Sequence, residues 1–108
     1  MIDHIVLLRW TPDSDPAART AAMAGLAELP ARIPGIVRYP AAAQSSPEGL
    51  ARGLDWGFVM TFTDAAARDA YLPHPAHTQL VETLLKPILA EVLVFDFEHG
   101  TTQRVEYA

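Results

Sequence analysis

Four side chains in this sequence can take, give or orient protons, and their positions suggest that they meet: His4, Tyr71, His77 and Asp96. His4 lies near the start of the first apolar run and Asp96 near the end of the last. Tyr71 and His77 flank the breaker segment Leu72-Pro73-His74-Pro75-Ala76. Pro75 at the opening of a helix would place His77 in its first turn. The positive end of the helix dipole disfavours imidazolium there and favours a neutral base. A phenol beside that base can donate to a carbonyl oxygen and stabilise enolate charge as it develops. Asp96 can orient or charge His4. The chemistry implied is proton transfer next to a carbonyl without a cofactor.

Each residue also has a structural reading. A histidine on an apolar helical stripe is commonly a hydrogen-bonded core residue, and Tyr71 would serve equally well as an aromatic covering the core. His4 and Asp96 could be a cross-strand pair that sets register. His74-x-x-His77 resembles half of a metal site, but Pro75 pushes His74 toward extended backbone, so the two rings are not expected to share a face. No metal and no cofactor is expected. The chain has no cysteine, which removes disulfides, thiolate chemistry and cysteine-ligated zinc. His99 reads as part of a solvated tail.

The elements that must position these residues follow from periodicity. Residues 2–10 alternate as a strand with two mostly apolar faces, His4, Val6 and Leu8 on one and Ile5 and Leu7 on the other. Asp15-Pro16 opens a helix with Ala22, Met23, Leu26 and Leu29 on its apolar stripe; Pro30 and Pro34-Gly35 stop it in stages. Residues 36–44 read as a second strand, weakened by Pro40 and so at an edge. A loop over residues 45–53 leads to a third strand from Asp55, with Trp56, Phe58, Met60 and Phe62 on one face. Thr63 or Asp64 caps a helix to Tyr71. A further helix carries the stripe His77, Leu80, Val81, Leu84, Leu85 and Ile88, and residues 91–98 form the last strand.

The order β-α-β-β-α-β suits an α+β, ferredoxin-like sandwich with strand order 4-1-3-2 and both helices on one face. His4 and Asp96 then become neighbours, and Tyr71 and His77 arrive at the same end of the sheet. Val6, Leu8, Met23, Leu26, Phe58, Leu80 and Leu84 would line an apolar cavity around them. The other face carries Ile5, Leu7, Val59, Leu93, Phe95 and Phe97, too apolar to leave in water. A homodimer packed through that face is expected. One domain over residues 1–99 accounts for most of the 108 residues, with a polar tail over 100–108.

The formal charge is -5 and Lys86 is the only lysine, which argues against a nucleic-acid partner. No apolar run reaches the ~18 residues of a membrane span, and no secretory pattern opens the chain. A cytoplasmic protein that binds neither nucleic acid nor membrane is expected.

Several segments together resemble the stress-responsive A/B-barrel (Dabb) family. They are Ile2-Asp3-His4-Ile5-Val6-Leu7, Pro34-Gly35, Gly57-Phe58-Val59-Met60-Thr61-Phe62, Tyr71-Leu72-Pro73-His74-Pro75-Ala76-His77 and Val94-Phe95-Asp96-Phe97. The resemblance implies a ferredoxin-like unit paired as a homodimer around a central β-barrel. One member type is a plant polyketide cyclase, which performs an intramolecular aldol condensation in a pocket between sheet and helices. By motif its catalytic tyrosine and histidine correspond to Tyr71 and His77, its first-strand histidine to His4 and its last-strand aspartate to Asp96. A further pocket histidine is replaced here by Trp56, which would reshape the cavity. The function so implied is cofactor-free acid/base catalysis, as a cyclase, lyase or isomerase, on a small carbonyl or polyketide-like compound. The alternative is a non-enzymatic, stress-associated binding or structural protein. A cofactor-free monooxygenase or haem-degrading activity has no motif to support it.

Overall fold

The computed structural model describes residues 1–100; the tail expected beyond Gly100 lies outside them. Strand β1 (Ile2–Trp10) leads to α1 (Pro16–Arg32), which Asp15 caps by accepting from the Ala17 N–H at 2.9 Å. Two short strands follow, β2 (Ile36–Arg38) and β3 (Ala41–Ala43), then β4 (Trp56–Phe62). Helix α2 (Ala65–Tyr71) is capped by Asp64, and α3 (Pro75–Leu80) runs into a π turn (Val81–Leu85) and a 3₁₀ turn (Lys86–Ile88). Strand β5 (Leu89–Glu98) closes the sheet, whose order is β2-β4-β1-β5 with β3 also on β4. All pairings are antiparallel. With β2 and β3 taken as one broken strand, this is the expected 4-1-3-2 arrangement.

Three expectations need correction. The strand expected over 36–44 is broken in two. Pro40 has no N–H for a ladder, and one residue is inserted between the pairs Ile36–Phe62 and Arg38–Thr61. The last strand begins at Leu89, two residues early, because it follows directly on the 3₁₀ turn. Leu84 does not line the interior. The π turn adds a residue to its turn, so Leu85 rather than Leu84 follows Leu80 inward, and Leu84 is exposed.

The core lies between the helices and one face of the sheet, built from Ile2, Val6, Leu8, Trp56, Phe58, Met60 and Phe62 against Leu26, Leu29, Tyr71, Leu80, Leu85 and Ile88. Gly35 sets how closely α2 approaches. Its φ is +93°, and a Cβ there would stand 2.6 Å from that of Ala67. Its carbonyl also accepts from the Thr63 N–H at 2.9 Å, just before α2 begins. Gly35→Ala is expected to cost about 1–3 kcal/mol of stability, from the left-handed backbone and the displaced helix. Urea unfolding measures it; an unchanged midpoint would mean that α2 adjusts freely.

The opposite face of the sheet is uncovered. Phe95 is 66% exposed, and Leu7, Leu93 and Phe97 are exposed with it. The helix layer also stops short of β5, leaving Val92 and Val94 exposed. A concavity of about 700 Å³ opens on the uncovered face, lined by Ile5, Leu7, Leu50, Leu54, Val59 and Leu93 among others.

Candidate functional site

Register brings the site together. His4 pairs with Met60 on one side and with Asp96 on the other, so all three share one rung of the sheet. His4 is buried on the helix-facing side with Val6 and Leu8. Its Nδ1–H donates to Asp96 Oδ1 at 2.7 Å, since a carboxylate only accepts, and this leaves Nε2 outside the pair. The second oxygen of Asp96 accepts from Arg68 Nη1 at 2.9 Å. Arg68, Asp96 and His4 therefore form a continuous chain from α2 to β1.

Tyr71 ends α2 one helical turn after Arg68 and is fully buried. Its ring meets His4 edge-on, with centroids 5.9 Å apart, and lies 4.1 Å from the ring of His77. His77 is the third residue of α3 and donates from Nδ1 to the Leu72 carbonyl at 2.9 Å. That bond fixes its tautomer and places the basic lone pair on Nε2. Burial lowers the His77 pKa; the Leu72 hydrogen bond pulls the other way, and the nearby His4 and His74 lower it further. His77 is thus a neutral base near pH 7. Burial, reinforced by Tyr39, pushes the Tyr71 phenol well above its usual pKa, so it stays a donor.

The rest of the expected pocket set divides. Val6, Leu8, Phe58 and Leu80 are buried in the same core, and Phe58 and Phe62 lie 6.3 and 6.2 Å from the His4 ring. Trp56 pairs with Leu8, four residues along β1 from His4, and packs against Trp10 at 6.0 Å. It fills the far end of the interlayer space. The 700 Å³ concavity is lined by none of His4, Tyr71, His77 and Asp96, although Trp56 and Phe58 reach it. His74 uses Nδ1 to accept from the Ala76 N–H at 3.1 Å, which caps α3. Among the described residues no group of three His, Cys, Asp or Glu side chains could hold a metal ion. His99 does not read as free tail: Nε2 lies 3.2 Å from Asp3 Oδ1, and its ring rests 5.5 Å from Phe97. Asp3, held mainly by a hydrogen bond from Thr61, has a lowered pKa.

Sequence reasoning missed Arg68 and Tyr39. Arg68 lies three residues before Tyr71 on one helix face, a spacing that could have linked them. Arg68→Met is expected to lower stability, since the charge-assisted hydrogen bond to Asp96 is lost. Lysine should restore little of it, lacking the planar fork. Urea midpoints equal to wild type would remove Arg68 from the site.

The sequence profile of the Stress responsive A/B Barrel Domain family matches residues 2–99. The chain belongs to the Dabb family. Solved structures agree on its fold. A protein from Arabidopsis thaliana is 25% identical, with a TM-score of 0.85 over 96% of this chain and 100% of its own. A dimeric ferredoxin-like protein of unknown function from Jannaschia sp. CCS1 is 30% identical, with a TM-score of 0.78 over 91% and 98%. The hydroxynitrile lyase of Passiflora edulis has a TM-score of 0.85 over 95% and 96%, but at 17% identity it shares the fold alone. No curated protein matches the chain. Among the described residues no helix of this Dabb protein is long and apolar enough to cross a membrane.

Proposed function

We propose that this Dabb protein is a homodimer that performs cofactor-free proton transfer on a small carbonyl compound, with His77 as base and Tyr71 as donor to the carbonyl oxygen. The observation that carries this reading is the tautomer of His77. Its Nδ1–H is committed to the Leu72 carbonyl, its pKa is lowered, and its ring lies 4.1 Å from a phenol that stays protonated. A base and an acid side by side, each in its active protonation state at neutral pH, are what enolisation requires. The Arg68–Asp96–His4 chain orients the second imidazole behind Tyr71. Aldol-type cyclisation and keto–enol isomerisation begin with such a step, a lyase can run an aldol step in reverse, and a cytoplasmic location agrees with the cysteine-free sequence. The dimer is supported by the exposed apolar sheet face and by the dimeric relative from Jannaschia.

Deuterium incorporation from D₂O into aryl methyl ketones, followed by NMR, tests the reading without a known substrate. Tyr71→Phe keeps the ring and removes the donor. Exchange should fall roughly 10²–10³-fold. Equal exchange in wild type and variant would sink the assignment of Tyr71.

A second reading, non-catalytic binding of an apolar molecule, is favoured by the 700 Å³ concavity away from the histidines. On that reading, wild-type protein would catalyse no exchange.

A further inference from the structure

Periodicity in the sequence does not single out Tyr39. The bulge after Ile36 is what turns its side chain toward the helices in place of Arg38's. Between the pairs Arg38–Thr61 and Ala41–Phe58, Tyr39 stands opposite Met60. It therefore extends the rung of Met60, His4 and Asp96 to the outer edge of the sheet. Its ring packs on Phe58 at 5.2 Å, so its direction is fixed. Its hydroxyl is buried and has no hydrogen-bond partner among the described residues. A buried hydroxyl without a protein partner keeps its donor free for another group. Burial holds the phenol far above its usual pKa, and its nearness raises that of Tyr71 as well. Both phenols are donors at any physiological pH.

We propose that the Tyr39 and Tyr71 hydroxyls form a two-donor clamp on one ligand oxygen, the oxygen that gains negative charge when His77 takes the adjacent proton. The inference rests on the acid/base reading above and names its substrate class, an enolisable ketone. His77 Nε2 takes the C–H proton; that electron pair becomes the C=C bond, and the carbonyl π pair moves onto oxygen. The clamp receives the resulting charge with one donor from the sheet edge and one from the helix layer. The Tyr39 hydroxyl is buried and its ring already placed, so it needs little reorganisation as charge develops. Satisfying it is a gain available only to a ligand with an acceptor oxygen at that point.

4-Nitrophenolate, a planar oxyanion followed by its absorbance, is the probe, and thermal melting is the second readout. Tyr39→Phe should bind it at least tenfold more weakly, while melting at or above the wild-type temperature because an unpartnered hydroxyl has been removed. Unchanged binding in Tyr39→Phe, alongside weakened binding in Tyr71→Phe, would overturn the clamp and leave the acid/base reading standing. A melting temperature lowered by several degrees would also overturn it, since the hydroxyl would then have a structural partner. Wild-type protein that fails to bind the probe, or three variants (Tyr39→Phe, Tyr71→Phe and His77→Ala) that bind it equally well, would sink both.

Discussion

Replacing His77 with alanine is expected to lower ketone deuteration roughly 10²–10⁴-fold, the range spanned by a positioned general base. The loss should appear at neutral pH, where the wild-type ring is neutral and its Nε2 lone pair is free. The wild-type pH profile carries the sharper test. Burial lowers the His77 pKa from 6.5, so exchange should hold as pH falls past that value and decline only below it. The same shift links to stability. The unfolded chain binds a proton at His77 more readily than the folded one, so its contribution is present above about pH 6.5 and lost as pH falls through the lower, folded value. His77→Ala should therefore flatten part of the acid limb of the stability curve. A profile that declines at or above pH 6.5, or a variant as active as wild type, would show that another group is the base.

Phe95→Asp is expected to convert the proposed dimer to monomer at micromolar concentration. Phe95 is the most exposed large apolar side chain of the described residues and shares its face with Leu7, Leu93 and Phe97. A two-fold interface uses the same patch on both subunits, so one substitution acts twice. A central aromatic anchor is worth about 2–4 kcal/mol when truncated, and a carboxylate there must also be desolvated. A rise of roughly 10³-fold or more in the dimer dissociation constant follows. Light scattering over a dilution series measures it. A wild-type chain that is already monomeric would sink the dimer, and a variant that stays dimeric would place the interface elsewhere.

Much of the fold was legible because it rests on period and punctuation. Alternation over residues 2–10 and 56–62 matches β1 and β4, and Asp15-Pro16 and Asp64 cap α1 and α2. The pairing of His4 with Asp96 followed from strand order alone, and the structure brings them to 2.7 Å. Other features depend on small offsets that periodicity cannot carry. One extra residue at the bulge decides that Tyr39, not Arg38, faces the helices. One extra residue in the π turn puts Leu85 inside and Leu84 outside. In each case the local sequence is compatible with both outcomes, and packing against a distant element selects one.

The Tyr71 to His77 segment shows the same division. Its residue types and prolines by themselves determine a helix ending in a phenol and a new helix with an imidazole in its first turn. These are local properties of backbone dihedrals and missing N–H groups. Only tertiary structure decides the protonation states and partners: the Leu72 carbonyl that fixes the His77 tautomer, the burial that lowers its pKa, and the Arg68 fork that reaches Asp96 on β5. Burial and long-range hydrogen bonds belong to no single segment, because they exist only once the layers have closed over one another.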